Sequence, residues 1–303
     1  MGDSNPTVKD WIVAFRLRTL PLSLSCILMG SFLAYSKGVF DSIIFSLAML
    51  TTVLLQILSN LANDYGDSQH GADSKIRQGP SRSVQAGLIT GRQMKNAVKL
   101  FSALSFIAGV SLLMFSFKDQ IVFLLVFLGL GLLAIWAAIT YTAGKTPYGY
   151  KGFGDISVFL FFGLLGVGGT FFLYAKQFDW QMLLPAASCG LFSAGVLNIN
   201  NIRDIESDRE AGKISIPVRI GRQNAIIYHW ILLITGMCTS ALYVALNSTS
   251  FYNWLFLLVV PLLIINLRAV TLKHEAMELD PFLKQLALST LIFVILFGIG
   301  VNL

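Results

Sequence analysis

The chain has 303 residues, of which 55% are hydrophobic and only 13% are charged. Soluble domains carry about 25% charged residues, so this chain has too little charge to cover a water-exposed surface. The composition disfavours a soluble enzyme, a disordered chain and, despite a formal net charge of +6, a nucleic-acid-binding protein. It indicates an integral membrane protein of many spans.

Nine segments are apolar enough to cross a bilayer, which takes about 20 residues of helix. They are continuous apolar runs, so an all-α membrane fold is predicted rather than a β-barrel. The first follows two arginines, as a signal peptide would, but eight more spans follow it and no clear cleavage site is present, so it is interpreted as a retained helix. The predicted spans are Leu20–Tyr35, Ile43–Leu61, Val98–Phe117, Ile121–Thr142, Ile156–Ala175, Leu183–Ile199, Ala225–Leu246, Trp254–Val270 and Leu286–Gly300.

The distribution of lysine and arginine predicts the orientation. With the N-terminus in the cytoplasm, 19 of the 22 Lys and Arg residues fall on the cytoplasmic side. The opposite side holds only Lys37, Lys118 and Lys176. By the positive-inside rule, this asymmetry predicts a cytoplasmic N-terminus and a C-terminus on the other side.

The second span is followed by an acidic segment, about 60–95, that is predicted to form a cytoplasmic loop. Asn63 and Asp67 are four residues apart, so on a continuing helix they would share one face. The other charged residues singled out in this segment are Asp64, Asp73, Arg77 and Arg82.

A Gly-, Tyr- and Lys-rich loop joins the fourth and fifth spans. It contains Tyr141 and Lys145, and Asp155 begins the apolar helix that follows. Two interpretations of Asp155 stay open: a charge that complements the helix dipole, or a polar group at the rim of a functional site.

The sixth span is followed by a second acidic loop, about 198–224. Asp204 and Asp208 repeat the four-residue spacing of the first motif. Like charges at this spacing repel each other, and a cation between them would relieve the repulsion. The basic residues around this pair are Arg203, Arg209, Lys213 and Arg219.

Both acidic segments have the composition of a site for a divalent cation and a diphosphate. Magnesium prefers a few carboxylates together with phosphate oxygens, and nearby Lys and Arg stabilise a departing diphosphate. One alternative is an ordinary solvated helix end. A second is a transporter, although transport sites lie near the bilayer midplane and these carboxylates lie at helix ends. A CDP-alcohol phosphotransferase is disfavoured, because an Asp-Gly-x-x-Ala-Arg run is missing.

The chain resembles the UbiA superfamily of intramembrane prenyltransferases, and within it most closely the 1,4-dihydroxy-2-naphthoate polyprenyltransferases. The resemblance covers nearly the whole chain, and its specificity comes from the combination of motifs. The matching stretches are Arg18-Thr-Leu-Pro-Leu22, the segment from Gln56 to Asp67, Ala138-Ile-Thr-Tyr-Thr142, Pro147-Tyr-Gly-Tyr150, Gly154-Asp155 and the segment from Leu197 to Lys213.

The resemblance implies a single membrane-embedded domain over 1–303, with nine helices around a central cavity capped by the Asp-rich loops. It implies transfer of a polyprenyl group from its diphosphate to an aromatic ring with Mg²⁺ as cofactor, at the cytoplasmic face of the inner membrane. Beyond these two substrates and the lipid bilayer, no nucleic acid and no obligate protein partner is expected.

The metal residues expected from the motifs are Asn63, Asp67, Asp73, Asp204 and Asp208. The expected diphosphate contacts are Arg77, Arg82, Lys145, Arg203 and Lys213. The expected catalytic residues are Asp64, Tyr141 and Asp155, with Tyr141 stabilising an allylic cation by cation–π attraction.

One departure from the superfamily pattern bears on the acceptor. The 4-hydroxybenzoate branch carries a third Asp four residues beyond the position of Asp67, and here Gly71 stands there with Asp73 two residues later. The naphthoate branch shares this Gly-x-Asp arrangement, so a naphthoate acceptor is expected. Other aromatic acceptors, such as 4-hydroxybenzoate or homogentisate, stay open as alternatives.

Overall fold

Helices form the whole regular structure of the described part of the chain. The structure is a computed structural model that describes residues 6–70, 82–247 and 250–303. Within these ranges nine helices are long and apolar enough to cross a membrane, as the sequence predicts. The all-α membrane fold is therefore confirmed. Asp73 and Arg77 lie outside the described residues.

The helices are labelled α1 to α12 in chain order. A π-helical segment, Phe159–Gly169, joins α6 and α7 into one span, Gly154–Ala175, and a 3₁₀ segment, Phe251–Val259, leads into α11. The bounds are Val8–Phe15 (α1), Leu20–Ser36 (α2), Ser42–His70 (α3), Gly91–Ser116 (α4), Ile121–Thr140 (α5), Gly154–Val158 (α6), Thr170–Ala175 (α7), Leu183–Arg203 (α8), Ile205–Glu210 (α9), Ile216–Asn247 (α10), Val260–Leu272 (α11) and Ala276–Val301 (α12).

Several spans extend well beyond their apolar runs. Helix α3 continues to His70 instead of ending near Leu61, so the first acidic motif is helical and not a loop as predicted. Helix α12 begins at Ala276, well before the predicted Leu286. Hydrophobicity ends where lipid ends, whereas the backbone hydrogen bonds of a helix continue into the interfacial region.

Helix α8 lies at the centre of the bundle and α5 at its edge. In the spanning windows, 67% of the residues of α8 are buried inside the protein, against 6% for α5. Helix α8 packs on α10, α12 and the π segment. Against the π segment the backbones nearly touch, because a Cβ added at Gly163 would lie 2.7 Å from the carbonyl oxygen of Ala186. Because the second acidic motif follows the C-terminal end of this central helix, it lies near the centre of one end of the bundle.

Candidate active site

Asp67, in the last turns of α3, lies at one edge of a buried acidic cluster. Its carboxylate is 4% exposed and forms an ion pair with Arg82. The Tyr150 hydroxyl donates to Oδ1 of Asp67 at 2.7 Å, and Nη1 of Arg82 also donates to the carbonyl oxygen of Asn63 at 2.6 Å. Three separate chain segments therefore converge on the first acidic motif.

Gly66 lets α3 approach the loop that carries Tyr141. A Cβ added at Gly66 would lie 2.4 Å from the carbonyl carbon of Thr142, so alanine would not fit without a backbone shift. In this close contact the Thr142 hydroxyl donates to Oδ1 of Asn63 at 3.1 Å. The contact fixes Asn63 and Asp67 relative to the loop.

Asp204 lies in the break between α8 and α9 and is held by its neighbour. The buried guanidinium of Arg203 donates through Nε and Nη2 to the two carboxylate oxygens of Asp204, both at 2.8 Å. Arg203 also donates to Oδ1 of Asp280 in α12 at 2.6 Å and to Oδ1 of Asn200 at 2.8 Å. The guanidinium of Arg203 is engaged by three protein groups, so a diphosphate contact of Arg203, which stays a prediction, would have to replace one of them.

Asp208 lies on α9, four residues after Asp204. Its backbone N–H donates to the carbonyl oxygen of Asp204 at 2.8 Å, so the predicted shared face is retained across the helix break. The Lys213 ammonium lies 3.0 Å from Oδ2 of Asp208. Burial raises the pKa of the Asp208 carboxyl; the Lys213 charge opposes this, and the charges of Asp204 and Asp67 add to it. Asp208 thus lies within electrostatic reach of both other carboxylates.

Each of these carboxylates is paired with a basic side chain. Buried, balanced charges of this kind suit a site that binds a cation and a polyanion. The cation can replace a basic side chain beside a carboxylate, and the polyanion can replace a carboxylate beside a basic side chain. Asn201 lies on α8, three residues before Asp204, and its Oδ1 is buried and has no hydrogen-bond partner in the described part of the chain. Carboxylate and amide oxygens form the donor set that Mg²⁺ prefers.

The residues present fit a magnesium ion that takes part of its shell from phosphate or water. Among the described residues, no three acidic, histidine or cysteine side chains are gathered as a preformed metal site. Mg²⁺ usually binds through one or two carboxylates together with substrate phosphates, so a ready-made cage is not required.

A mostly apolar cavity of about 360 Å³ is lined at one point by Asn63 of the first acidic motif. It lies between α2, α3, α5 and the π segment, within the size range of small-molecule sites. The polar residues of its lining include Asn63, Tyr141 and Tyr148, together with Gln56 and Ser157. Asn63 therefore belongs to both the cavity and the acidic motif, and it marks the junction between them.

Tyr141 presents an aromatic surface to this cavity. Its ring meets that of Tyr148 edge-on, with centroids 5.3 Å apart, and a Cβ at Gly154 would lie 2.7 Å from its hydroxyl oxygen. Burial raises the pKa of Tyr141, so the phenol stays neutral at physiological pH. A neutral, tightly packed ring suits the predicted stabilisation of an allylic cation.

Asp155 and Asp64 have different surroundings. Asp155 is 5% exposed and accepts a hydrogen bond from the Tyr228 hydroxyl at 3.3 Å. Asp64 accepts hydrogen bonds from the backbone N–H groups of Ser83 and Val84 at 3.0 and 3.2 Å. Through these hydrogen bonds Asp64 anchors the segment after Arg82, and its catalytic role stays a prediction.

Lys145 is exposed on its loop. Its diphosphate contact stays a prediction.

Sequence reasoning missed four residues that complete the site. Tyr150 and Asn201 lie inside quoted motifs but carried no assigned role, and their place in those motifs was the signal that could have identified them. Tyr228 and Asp280 lie in apolar helices far along the chain, where only the three-dimensional fold reveals their partners.

Comparison with known proteins gives a consistent result. Residues 23–300 match the UbiA prenyltransferase family. The chain is 45% identical to the 1,4-dihydroxy-2-naphthoate octaprenyltransferase of Haemophilus influenzae, over 98% of this chain and 96% of the relative. It is 44% identical to the enzyme of the same name from Escherichia coli, over 97% and 95% of the two chains.

The fold is shared with solved structures. A UbiA homolog from Archaeoglobus fulgidus, bound to GPP and Mg²⁺, superposes with a TM-score of 0.60 at 18% identity. The match covers 95% of this chain and 99% of that one. At this identity the likeness shows a shared fold and nothing finer.

Proposed function

The chain belongs to the UbiA prenyltransferase family, and we propose that it transfers a polyprenyl group from polyprenyl diphosphate to 1,4-dihydroxy-2-naphthoate, which yields demethylmenaquinol for menaquinone synthesis. The observation that carries this proposal is the set of three buried carboxylates, each paired with a basic side chain, together with an apolar cavity that Asn63 of the first acidic motif lines. Relatives that are 44–45% identical over nearly their full length are naphthoate octaprenyltransferases.

Mg²⁺ is the proposed cofactor. Asn63, Asp67, Asp204 and Asp208 would hold it, and the buried amide oxygen of Asn201 adds a further donor beside them. When bound, a divalent cation neutralises phosphoryl oxygens and so assists departure of the diphosphate. Asp73 stays a predicted ligand.

Arg82 and Lys213 are the proposed diphosphate contacts among the described basic residues. Each lies against a motif carboxylate, with side chains 11% and 14% exposed, so each is close to the site and partly screened from water. Charge-assisted hydrogen bonds are strengthened in such a setting. Arg77 stays a predicted contact.

The reaction needs no general base to remove a proton from the ring carbon, because that carbon carries a carboxylate instead of a proton. The bond between the prenyl C1 and the diphosphate oxygen breaks, and the naphthoate ring carbon that bears the carboxylate attacks C1. The carboxylate then leaves as CO₂, and the electron pair of that bond restores the aromatic ring. Asp155, buried beside Tyr228, is proposed to orient the acceptor, while Tyr141 stabilises positive charge on the allyl group.

We place the protein in the bacterial inner membrane with its N-terminus and active site at the cytoplasmic face. The bacterial relatives and the excess of Lys and Arg on one side support this assignment. A cytoplasmic site also gives the water-soluble naphthoate direct access. Transport is not favoured, because the acidic cluster lies at helix ends rather than at the midplane.

An acceptor competition tests the proposed substrate. The purified protein, in detergent with Mg²⁺ and octaprenyl diphosphate, receives equimolar 1,4-dihydroxy-2-naphthoate and 4-hydroxybenzoate, and the products are quantified by mass spectrometry. We expect prenylated naphthol product and at most about 1% prenylated hydroxybenzoate, because hydrogen-bonding sites discriminate strongly between ring systems. Hydroxybenzoate product alone would contradict the acceptor assignment.

A further inference from the structure

Two of the three cysteines are buried inside the bundle. Cys26 on α2 and Cys189 on α8 are 2% and 0% exposed, whereas Cys238 on α10 is exposed. Sγ of Cys26 donates to the carbonyl oxygen of Leu22 at 3.4 Å, and the two buried thiols lie within hydrogen-bonding reach of each other. The chemistry described above leaves this pair without a role.

The backbone brings the two buried cysteines together on either side of the π segment. A Cβ added at Gly166 would lie 3.0 Å from the Cβ of Cys26. In the same stretch, a Cβ added at Gly163 would lie 3.0 Å from the Cα of Gly190, the chain neighbour of Cys189. Helices α2 and α8 also pack on each other, and both cysteines belong to one buried apolar cluster. The contact of the two thiols therefore follows from close packing of three helical segments.

Cys26 also lies on the wall of the cavity that Asn63 lines, which is called the reaction cavity below. Ile27, Phe162 and Gly166 are its neighbours in that lining. The lining is mostly apolar, so it admits a lipid-soluble aromatic molecule more readily than a water-soluble thiol. Such a molecule would meet the sulfur of Cys26, with Cys189 next to it.

The proposed function supplies the class of oxidant for these thiols. Its product is a hydroquinone, and loss of two electrons and two protons turns a hydroquinone into a lipid-soluble quinone. Two thiols release the same two electrons and two protons when they form a disulfide. Quinones also drive disulfide formation in the bacterial periplasm, so the pairing of these two redox couples is chemically competent.

We propose that Cys26 and Cys189 form a dithiol that a naphthoquinone in the reaction cavity oxidises to a disulfide. The two S–H bonds break and one S–S bond forms between the two Sγ atoms. The two electrons and two protons pass to the quinone oxygens, which gives the hydroquinone. The choice of a quinone as the oxidant rests on the proposed function, because the proposed product belongs to the same redox couple.

The test counts free thiols before and after oxidation. Purified protein in detergent, without oxygen, is incubated with 2,3-dimethyl-1,4-naphthoquinone, whose methyl groups block addition of a thiol to the ring. The protein is then denatured and alkylated, and its peptides are identified by mass spectrometry. We expect free thiols to fall from three to one, with a cross-link between Cys26 and Cys189 and one hydroquinone formed per protein. Dithiothreitol should restore all three thiols.

The cysteine variants provide matched controls. Cys238→Ser removes the exposed thiol and should still lose two thiols to the quinone. Cys26→Ala and Cys189→Ala each remove one member of the pair, and both should keep their two remaining thiols. Thermal unfolding of each variant shows that it is folded. If an alanine variant does not fold, the cross-linked peptide in Cys238→Ser decides.

The outcomes separate this inference from the proposed function. A wild-type protein that keeps three thiols, or that gains the mass of the quinone on Cys26, overturns the dithiol assignment. A loss of thiols that requires Cys238 overturns it as well. Formation of prenylated naphthol by the untreated protein is measured in parallel. Absence of that product overturns the proposed function, while the thiol count still decides whether the buried pair is oxidised.

Discussion

Asp67→Asn is expected to lower the turnover number about a thousandfold, which corresponds to about 4 kcal/mol of lost transition-state stabilisation. The substitution keeps the size of the side chain and its ability to accept the Tyr150 hydrogen bond, but removes one of three charges in the cluster. Without this charge the site binds the metal–diphosphate pair less tightly. The negative charge that develops on the leaving group is therefore stabilised less. The measurement is the initial rate of prenylated product formation at saturating Mg²⁺.

Two variants separate loss of charge from loss of fold. Tyr150→Phe removes the hydroxyl that donates to Asp67 but keeps the ring and the carboxylate, so it should cost about tenfold at most. Asp179→Asn changes a carboxylate that pairs with Lys37, in the opposite set of loops, and should leave the rate unchanged. An Asp67→Asn rate within tenfold of wild type, in a folded protein, would remove Asp67 from the reaction centre.

Asp280→Asn is expected to raise the Mg²⁺ concentration needed for the half-maximal rate about tenfold. Asp280 accepts from the buried guanidinium of Arg203, which also binds both carboxylate oxygens of Asp204. Without the Asp280 charge, the ion pair between Arg203 and Asp204 becomes stronger, and a hydrogen bond to a charged group is worth about 1.5–3 kcal/mol. Because Mg²⁺ competes with Arg203 for the Asp204 carboxylate, a higher Mg²⁺ concentration is then needed. Asp280 is thus a positioning residue.

The controls for this prediction lie on the same helix. Asp280→Glu keeps the charge and should retain near-normal Mg²⁺ dependence. Glu278→Gln removes an exposed carboxylate that pairs with Lys273 and should have no effect. If Asp280→Asn lowers the maximal rate while the Mg²⁺ dependence stays unchanged, then Asp280 only supports the fold and does not tune Asp204.

The spans and both acidic motifs could be predicted because they depend on local sequence. Length and hydrophobicity are properties of each segment, and spacing alone places Asp204 and Asp208 on one face. The predicted end of α3 and the predicted start of α12 were wrong, because the apolar signal stops at the membrane surface while the helix continues. The assignment of the first motif to a loop was wrong for that reason.

The partners within the site could not be predicted in the same way. Whether Arg203 contacts a diphosphate or holds Asp204 depends on Asp280, 77 positions further along the chain, and no local pattern links the two. Similarly, the exposure of Lys145 and the engagement of Asp64 with the Ser83 and Val84 amides follow from loop conformation. Residue type and spacing identified the cluster, while tertiary packing assigns roles within it.

The most direct test of the proposed function uses 1,4-dihydroxy-2-naphthoate labelled with carbon-14 at its carboxyl group. The purified protein is incubated with this acceptor and octaprenyl diphosphate, and labelled CO₂, diphosphate and prenylated product are measured with Mg²⁺ and with excess EDTA. The account predicts equal amounts of all three products with Mg²⁺ and none with EDTA. Diphosphate release without labelled CO₂, or an undiminished rate in EDTA, would contradict it.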